Sequence, residues 1–376
     1  MSLLSHKRDL AMCAFCPKMC RFACPMAEVE HREAVTPWWK MIQAERIGAR
    51  RAPDSPEAAA VVYHCLSCLH CRTHCRHAVD VPGALLEARA ALFSRNLEDP
   101  LVCGFLARFR KQGNPFAEDL GARLERIVPA ELRPAEARAV LFAGCQALRA
   151  ESVVSAARRV FSALSIDFVG VFAGDDLCCG APLWQMGDRK GFEAHAERLR
   201  RQLGACRLVL CLCPTCEETL RTLYAEVGQP LSARVENLAE WLGPRLEQRT
   251  PVQKIPGRFT YHDPCFAGRY RERYQAPRRI LSFCLTEPLQ EAAWARDDAA
   301  CCGGGGGVPW ILPGPAAAAA RRRLKQLQAT GAERIATACP GCQRMLGEAG
   351  GQVRDVIEVL AEALDGAGPV PGEEHP

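Results

Sequence analysis

No stretch of this chain is apolar enough to cross a bilayer. No run approaches the ~18–20 residues that a membrane-spanning helix needs. The opening Met1-Ser2-Leu3-Leu4-Ser5-His6-Lys7-Arg8-Asp9 lacks a secretory apolar core with a cleavage site. The expected location is therefore cytoplasmic, with at most peripheral contact at the inner face of the membrane. No Gly-x-Gly-x-x-Gly follows a strand, which argues against a flavin or nicotinamide site. The glycine run Gly303 to Gly307 is not followed by Gly-Lys-Ser/Thr, so it is no phosphate loop. Lysine is scarce: seven of the 48 basic residues. With abundant Ala, Gly and Pro, that mix reads as the codon bias of a GC-rich genome. The net charge of +5 is spread over interspersed acidic and basic residues, so no nucleic-acid-binding face is expected.

Against these absences stands one excess. The 376 residues include 22 cysteines, and eighteen fall into four blocks with metal-ligand spacing. Two are short runs: Cys13, Cys16, Cys20, Cys24 and Cys65, Cys68, Cys71, Cys75. Two are long and share one plan: Cys145, Cys178-Cys179-Gly180, Cys213-Pro214-Thr215-Cys216; then Cys265, Cys301-Cys302-Gly303, Cys339-Pro340-Gly341-Cys342. Thiols in a reducing compartment point to metal or redox chemistry rather than disulfides. Thiolates at these spacings suit soft metals, iron–sulfur clusters above all. Cys103, Cys206, Cys211 and Cys284 lie outside the blocks and read as core filling.

The two long blocks are an internal duplication. Cys145 and Cys265 lie 120 residues apart, Cys178 and Cys301 123 apart, and Cys213 and Cys339 126 apart. In the first half, Ala139 to Gly144, Ile166 to Phe172 and Leu208 to Leu212 read as strands. Helices are expected between them, one over Val153 to Leu164 and one over Phe192 to Leu203. The apolar strand Leu208 to Leu212 suits a parallel sheet buried on both faces. Val235, Leu238, Ala239 and Leu242, and likewise Val353, Val356, Ile357 and Leu360, fall at i, i+3, i+4, i+7 and predict a closing helix in each half. The second half follows the same plan from Phe259-Thr260-Tyr261 through Arg334 to Ala338. The fold class is thus a duplicated α/β region with parallel sheets. Such sheets place ligands at the carboxyl ends of their strands, where the cysteines fall. Gly180 and Gly303 supply the positive φ that lets adjacent cysteines reach one centre.

Length predicts two or three domains. The runs Cys13-x2-Cys16-x3-Cys20-x3-Cys24-Pro25 and Cys65-x2-Cys68-x2-Cys71-x3-Cys75 resemble the bacterial two-cluster ferredoxin pattern. The first has an extra residue between Cys16 and Cys20, and Arg76 stands where a proline usually follows Cys75. The resemblance implies one 4Fe–4S cluster on Cys13, Cys16, Cys20 and Cys75, and another on Cys65, Cys68, Cys71 and Cys24. Structural zinc is the competing reading, though zinc favours paired CxxC or Cys/His sets. His64, His70, His74 and His77 read as spacers or hydrogen-bond partners. Arg21, Arg72 and Arg76 would lie beside the clusters and raise their potentials. Trp38-Trp39 reads as core packing, with cluster shielding as the alternative.

Together these motifs resemble the iron–sulfur subunits of glycolate and lactate oxidases, anaerobic glycerol-3-phosphate dehydrogenase and heterodisulfide reductase. His262-Asp263-Pro264-Cys265 and the glycine run are similar to that family too. The resemblance implies an α-helical two-cluster ferredoxin-type domain with a helical extension over 1–135. It also implies CCG cysteine-rich domains over 136–250 and 257–365, with a disordered tail over 366–376. It further implies a five-cysteine site at Cys145, Cys178, Cys179, Cys213 and Cys216, and another at Cys265, Cys301, Cys302, Cys339 and Cys342. Each would take a noncubane 4Fe–4S cluster or zinc. The implied activity is electron transfer from an FAD-containing dehydrogenase subunit, acting on a 2-hydroxyacid or glycerol-3-phosphate, to a quinone or other acceptor. The alternatives are disulfide cleavage at a noncubane cluster and a zinc-stabilised scaffold. His262, three residues before Cys265, either serves the second site or satisfies backbone at the strand end.

Overall fold

The computed structural model describes residues 6–14, 16, 18–50, 56–134, 137–204 and 206–365. The first five residues and the Gly- and Pro-rich tail from Gly366 lie outside the described residues. An N-terminal helical region leads into two α/β halves.

The N-terminal helices start where the sequence caps them. Thr36, Asp80 and Asp99 each accept a backbone N–H of the first turn, and Pro37, Pro82 and Pro100 follow inside Pro37–Gly48, Val81–Phe93 and Pro100–Gln112. The helices pack around Met41, Ala44, Val62, Leu85 and Ala88, all buried. The cysteine runs occupy the tight segments between them.

In the first half, β1 (Ala139–Phe142), β2 (Val169–Val171), β3 (Leu208–Cys211) and β4 (Arg234–Asn237) form a parallel sheet in the order β2-β1-β3-β4. Phe142 pairs with Cys211, so both strands end in register at the cysteine-bearing edge. In the second half, β5 (Phe259–His262), β6 (Arg334–Thr337) and β7 (Val353–Asp355) pair in parallel in the order β5-β6-β7. A lone parallel bridge between Thr260 and Gln290 stands where the first half has β2.

Two sequence expectations are corrected. Ile166, Asp167 and Phe168 precede β2 rather than forming part of it. Ser165 takes a left-handed φ of 55° and the Ile166 N–H returns to the Phe161 carbonyl at 2.8 Å, so these residues close the preceding helix. Val235 and Val353 belong to strands, not to the closing helices. Asn237 and Asp355 separate strand from helix, and each side chain caps the first turn of Leu238–Leu242 or Val356–Leu364. The apparent helical period ran across that boundary.

The closing helix Val356–Leu364 holds the halves together. It packs on Ser152–Ala163 of the first half and on Gln275–Cys284 of its own. Covered from both sides, it is buried at Val356, Ile357, Val359, Leu360, Ala361, Ala363 and Leu364, and is apolar nearly all round. Arg159 adds a two-pronged pair to Asp365 at 3.0 and 3.2 Å.

Arg89 ties the N-terminal region to both halves. It is 0% exposed and, among the described residues, has no carboxylate partner. Its guanidinium donates to the carbonyls of Val62 (3.0 Å), Cys65 (3.1 Å), Gln185 (2.7 Å) and Gly306 (2.8 Å). These come from the N-terminal region and from both halves, so one buried cation is solvated by three parts of the chain. Tyr63 lies against it and donates to the Met186 carbonyl at 3.3 Å. The glycine run makes the approach possible. A Cβ on Gly306 would lie 1.9 Å from the Cys65 carbonyl oxygen, and one on Gly305 would lie 2.3 Å from that of Leu66. Part of the run therefore admits another loop's backbone.

Replacing Arg89 by Met leaves four buried carbonyls without their donor. The expected cost is roughly 3 kcal/mol or more, read as a clear fall in the anaerobic thermal midpoint. An unchanged midpoint would remove Arg89 from this role.

Candidate functional site

The N-terminal cysteines line two adjoining cavities. Cys13, Cys16, Cys20 and Cys75 surround one, walled by Met12, Pro37, Trp38 and Val79. Cys24, Cys65, Cys68 and Cys71 surround the other, with Lys40 and Leu66; Cys71 also reaches the first. Ser67 and Leu69 take φ of 50° and 59°, an unusual bend that turns the second run inward.

Burial and mutual repulsion push Cys13 up to about 12 and Cys20 to about 11, with Cys71 well above its ordinary value. Together they can be thiolates only around positive charge. One source is Lys40, which sequence reading missed. Burial opposes its charge, yet Cys24, Cys65 and Cys71 hold it above its usual value. Its ammonium donates to Cys24 Sγ at 3.6 Å and to the His64 carbonyl at 2.5 Å. The arginines singled out from sequence do not take that role: Arg21 pairs with Glu33 at 2.8 Å, and Arg72 and Arg76 are exposed. His64 bonds Glu30 at 2.6 Å. Burial, with Arg269 nearby, pushes His70 down to about 3.

The five-cysteine blocks sit at the strand ends. Cys145 follows β1 through Gly144, whose φ is 76°. Cys178 and Cys179 precede Gly180 (φ 80°), where a Cβ would lie 2.6 Å from the His195 ring. His195 holds that bend: Nε2 meets the Cys178 carbonyl at 2.8 Å, and Arg198 donates to Nδ1 at 3.3 Å. Tyr224 donates to the Cys179 carbonyl at 3.2 Å. Cys213 caps the helix Pro214–Glu218, which carries Cys216. In the second half Gly303 has φ 84°, with the Ala316 carbonyl 2.3 Å from a would-be Cβ, and Cys339 caps Pro340–Glu348, which carries Cys342.

Both blocks open on one cavity. Cys145, Cys178, Cys179, Cys213, Cys216, Cys265, Cys302, Cys339 and Cys342 line it with Gln146, Gln185, Thr215, Phe266 and Trp310. Its unfilled space, open mouth included, is about 730 Å³, a size that suits cofactors or a small molecule. Cys301 instead turns toward the N-terminal region.

The thiols form an unbroken path. Cys301 donates to Cys68, which lowers Cys68 and raises Cys301. From Cys301 the path runs to Cys265 and Cys302, then to Cys342 at 3.1 Å and Cys339. Cys339 donates to Cys213, crossing between the halves. Cys216, Cys179, Cys178 and Cys145 complete it.

The two sites differ at their strand ends. His262 ends β5 where Phe142 ends β1. His262 is 1% exposed. Its carbonyl accepts from Thr337 at 3.1 Å and its Nδ1 accepts from Arg323 Nε at 3.2 Å. A guanidinium can only donate, so the proton of the neutral ring sits on Nε2. Among the described residues its Nε2 has no hydrogen-bond partner, and it lies within 4.8 Å of the Cys302 and Cys342 sulfurs. Arg323, buried at 0% exposure, is a second cation that sequence reading missed.

Of the four cysteines outside the blocks, Cys206, Cys211 and Cys284 are buried as expected. Cys103 is exposed on the outer face of Pro100–Gln112 beside Glu98, which corrects its assignment to the core.

The cysteine-rich domain family called CCG matches residues 139–221 and 259–347. These spans carry both five-cysteine blocks. The chain carries two CCG cysteine-rich domains. It is 28% identical over 344 residues to a component of the dihydromethanophenazine:CoB–CoM heterodisulfide reductase of Methanosarcina mazei, covering 86% of this chain and 83% of that one. The corresponding component of the Methanosarcina barkeri enzyme is 27% identical, over 81% of this chain and 78% of that one. The EtfAB:quinone oxidoreductase of Syntrophomonas wolfei is 22% identical, over 81% of this chain and 46% of that one. This CCG protein is an iron–sulfur oxidoreductase-type subunit. Among the described residues no helix is long and apolar enough to cross a membrane.

Gly180→Ala and Gly303→Ala each force a clash and a strained φ at a cysteine pair. Each is expected to cost more than about 2 kcal/mol, and any soluble variant should lose iron. Full iron content with an unchanged melting point would contradict this account of the CCG bend.

Proposed function

We propose that this protein is an electron-transfer subunit in which one file of buried cysteines would hold redox clusters between an N-terminal ferredoxin-type domain and two CCG domains. The observation that carries the reading is the contact from Cys68 to Cys301, continued by Cys339 to Cys213. In this reading Cys13, Cys16, Cys20 and Cys75 hold one 4Fe–4S cluster, and Cys24, Cys65, Cys68 and Cys71 hold another. Each CCG block takes a noncubane cluster on its five cysteines. The donor sets fit: thiols pushed up by burial and by one another call for a multivalent cationic centre. When bound, such clusters supply reversible one-electron redox chemistry.

The chain's own residues set the conditions. Lys40 offsets thiolate charge at the second N-terminal site, and Arg89 fixes the loop carrying Cys65 against Gly306 and Gln185. The unpartnered Nε2–H of His262, close to Cys302 and Cys342, is placed to donate to a group held there, which would favour the more negative, reduced state of the second CCG site. Phe142 offers nothing similar to the first. The order is then N-terminal sites, second CCG site, first CCG site. The partners proposed are an FAD-containing dehydrogenase subunit acting on a 2-hydroxyacid or glycerol-3-phosphate, and a quinone or other acceptor.

A second reading, disulfide cleavage, is favoured by the shared cavity between the two CCG sites and by the heterodisulfide reductase relatives. There the cavity would admit a disulfide directly beside Cys302 and Cys179.

Anaerobic purification with iron and sulfide analysis tests the proposal. The expected iron exceeds the roughly eight atoms that two cubane clusters hold, and the excess falls in Cys145→Ser and Cys265→Ser variants. Iron at only the two-cubane level would sink the CCG clusters. Turnover of a disulfide, with perturbation of the cluster EPR signal, would select the second reading. His262→Phe should lower the midpoint of the second CCG site by on the order of 50 mV, the equivalent of one hydrogen bond, with iron content unchanged; an unshifted midpoint would deny His262 this influence.

A further inference from the structure

The geometry points to a divalent-cation site, distinct from the cysteine sites, formed by His70, His74 and Asp298. His70 opens the short helix His70–Thr73 and His74 closes it, so the rings lie one turn apart on the same face. Their Nε2 atoms face one another at 3.3 Å. Asp298 Oδ1 lies 3.5 Å from His74 Nε2, and the three ligand atoms lie within 4.8 Å of one another. In a tetrahedral zinc centre with bonds near 2.0–2.1 Å, neighbouring ligand atoms sit about 3.3 Å apart. The donor set, two imidazoles and a carboxylate, suits zinc or a similar borderline divalent ion.

The surroundings leave the trio available. Arg269, the nearest buried cation, is committed to the carbonyls of Cys68 (2.6 Å), Asp297 (2.8 Å) and Ala299 (2.8 Å). Arg322 pairs with Glu28, and the Asp297 carboxylate is taken by the Tyr274 hydroxyl. His70 is buried, while His74 and Asp298 are 35% and 53% exposed, which leaves a fourth position open to water. Three protein ligands plus an open position is a coordination that zinc adopts.

The placement gives the site a purpose. His70 and His74 immediately precede Cys71 and Cys75, and Asp298 stands three residues before Cys301. A bound cation clasps the second cysteine run to the second CCG half across the step from Cys68 to Cys301. Its charge also favours the reduced state of whatever those cysteines hold. The site stands whether or not the electron-relay reading does.

The test uses the anaerobically purified full-length protein, incubated with zinc chloride and dialysed. Zinc analysis should find about one retained ion per chain, and X-ray absorption should show nitrogen and oxygen neighbours at about 2.0–2.1 Å without sulfur. Asp298 is more than half exposed, so Asp298→Asn should fold normally. It should weaken zinc binding by more than about tenfold, a loss that outer-shell partners alone can cause, and His74→Ala should abolish it, with iron and sulfide unchanged in both. Failure to retain zinc, a sulfur shell near 2.3 Å, or undiminished affinity in both variants would overturn the proposal.

Discussion

A thiolate buried beside another thiolate is tolerable only where positive charge stands close. This chain buries most of its block cysteines in mutual contact, and the rest of the structure answers to that constraint. Burial and repulsion raise Cys13, Cys20 and Cys71, and few cations stand close to oppose them. Lys40 serves one N-terminal site, Arg269 donates to the Cys68 carbonyl, and Arg323 approaches the second CCG site through His262. Each is held by fixed carbonyls or a ring nitrogen, so its position does not relax. The remaining charge demand is what a metal centre meets, and the matches to iron–sulfur proteins agree with it.

The same constraint explains why the parts of the chain interlock. Thiols supplied by separate segments act together only if those segments are fixed to within a bond length. Arg89 does this by drawing carbonyls from the N-terminal region and from both halves onto one guanidinium. Gly305 and Gly306 do it by having no side chain where another backbone passes. The closing helix Val356–Leu364 does it by hydrophobic burial between the halves. Polar, steric and apolar devices thus converge on the step from Cys68 through Cys301 to the central cavity.

Much of this was legible in the residues. The 120-residue offset predicted two halves because duplicated sites keep their ligands. Strands β1 and β3 could be placed because a parallel strand buried on both faces leaves an unbroken apolar run, and β5 and β6 because the second half repeats the plan of the first. Gly180 and Gly303 stood out because paired cysteines require a bend. What escaped has physical causes. β4 and β7 were hidden because Val235 and Val353 continue a helical period across capping residues. Lys40, Arg89 and Arg323 look like surface residues in sequence, since only tertiary packing supplies the carbonyls that make their burial tolerable. Cys103 looks like its neighbours in composition, but its place on an exposed helix face is decided by rotation about that helix.

The duplication is also unequal. The first CCG site is flanked by Phe142 and braced by His195 and Tyr224 through backbone carbonyls. The second has a buried imidazole within 4.8 Å of two cysteine sulfurs and a direct link to Cys68. The second site is therefore the junction and the first lies beyond it. EPR of the anaerobically reduced full-length protein tests that arrangement most directly. If the thiol path is real, the spectrum will show magnetic coupling between the cluster at Cys24, Cys65, Cys68 and Cys71 and the centre at the second CCG site, and a Cys301→Ser variant will lose it. A spectrum that is the simple sum of isolated clusters, unchanged in that variant, would contradict the account.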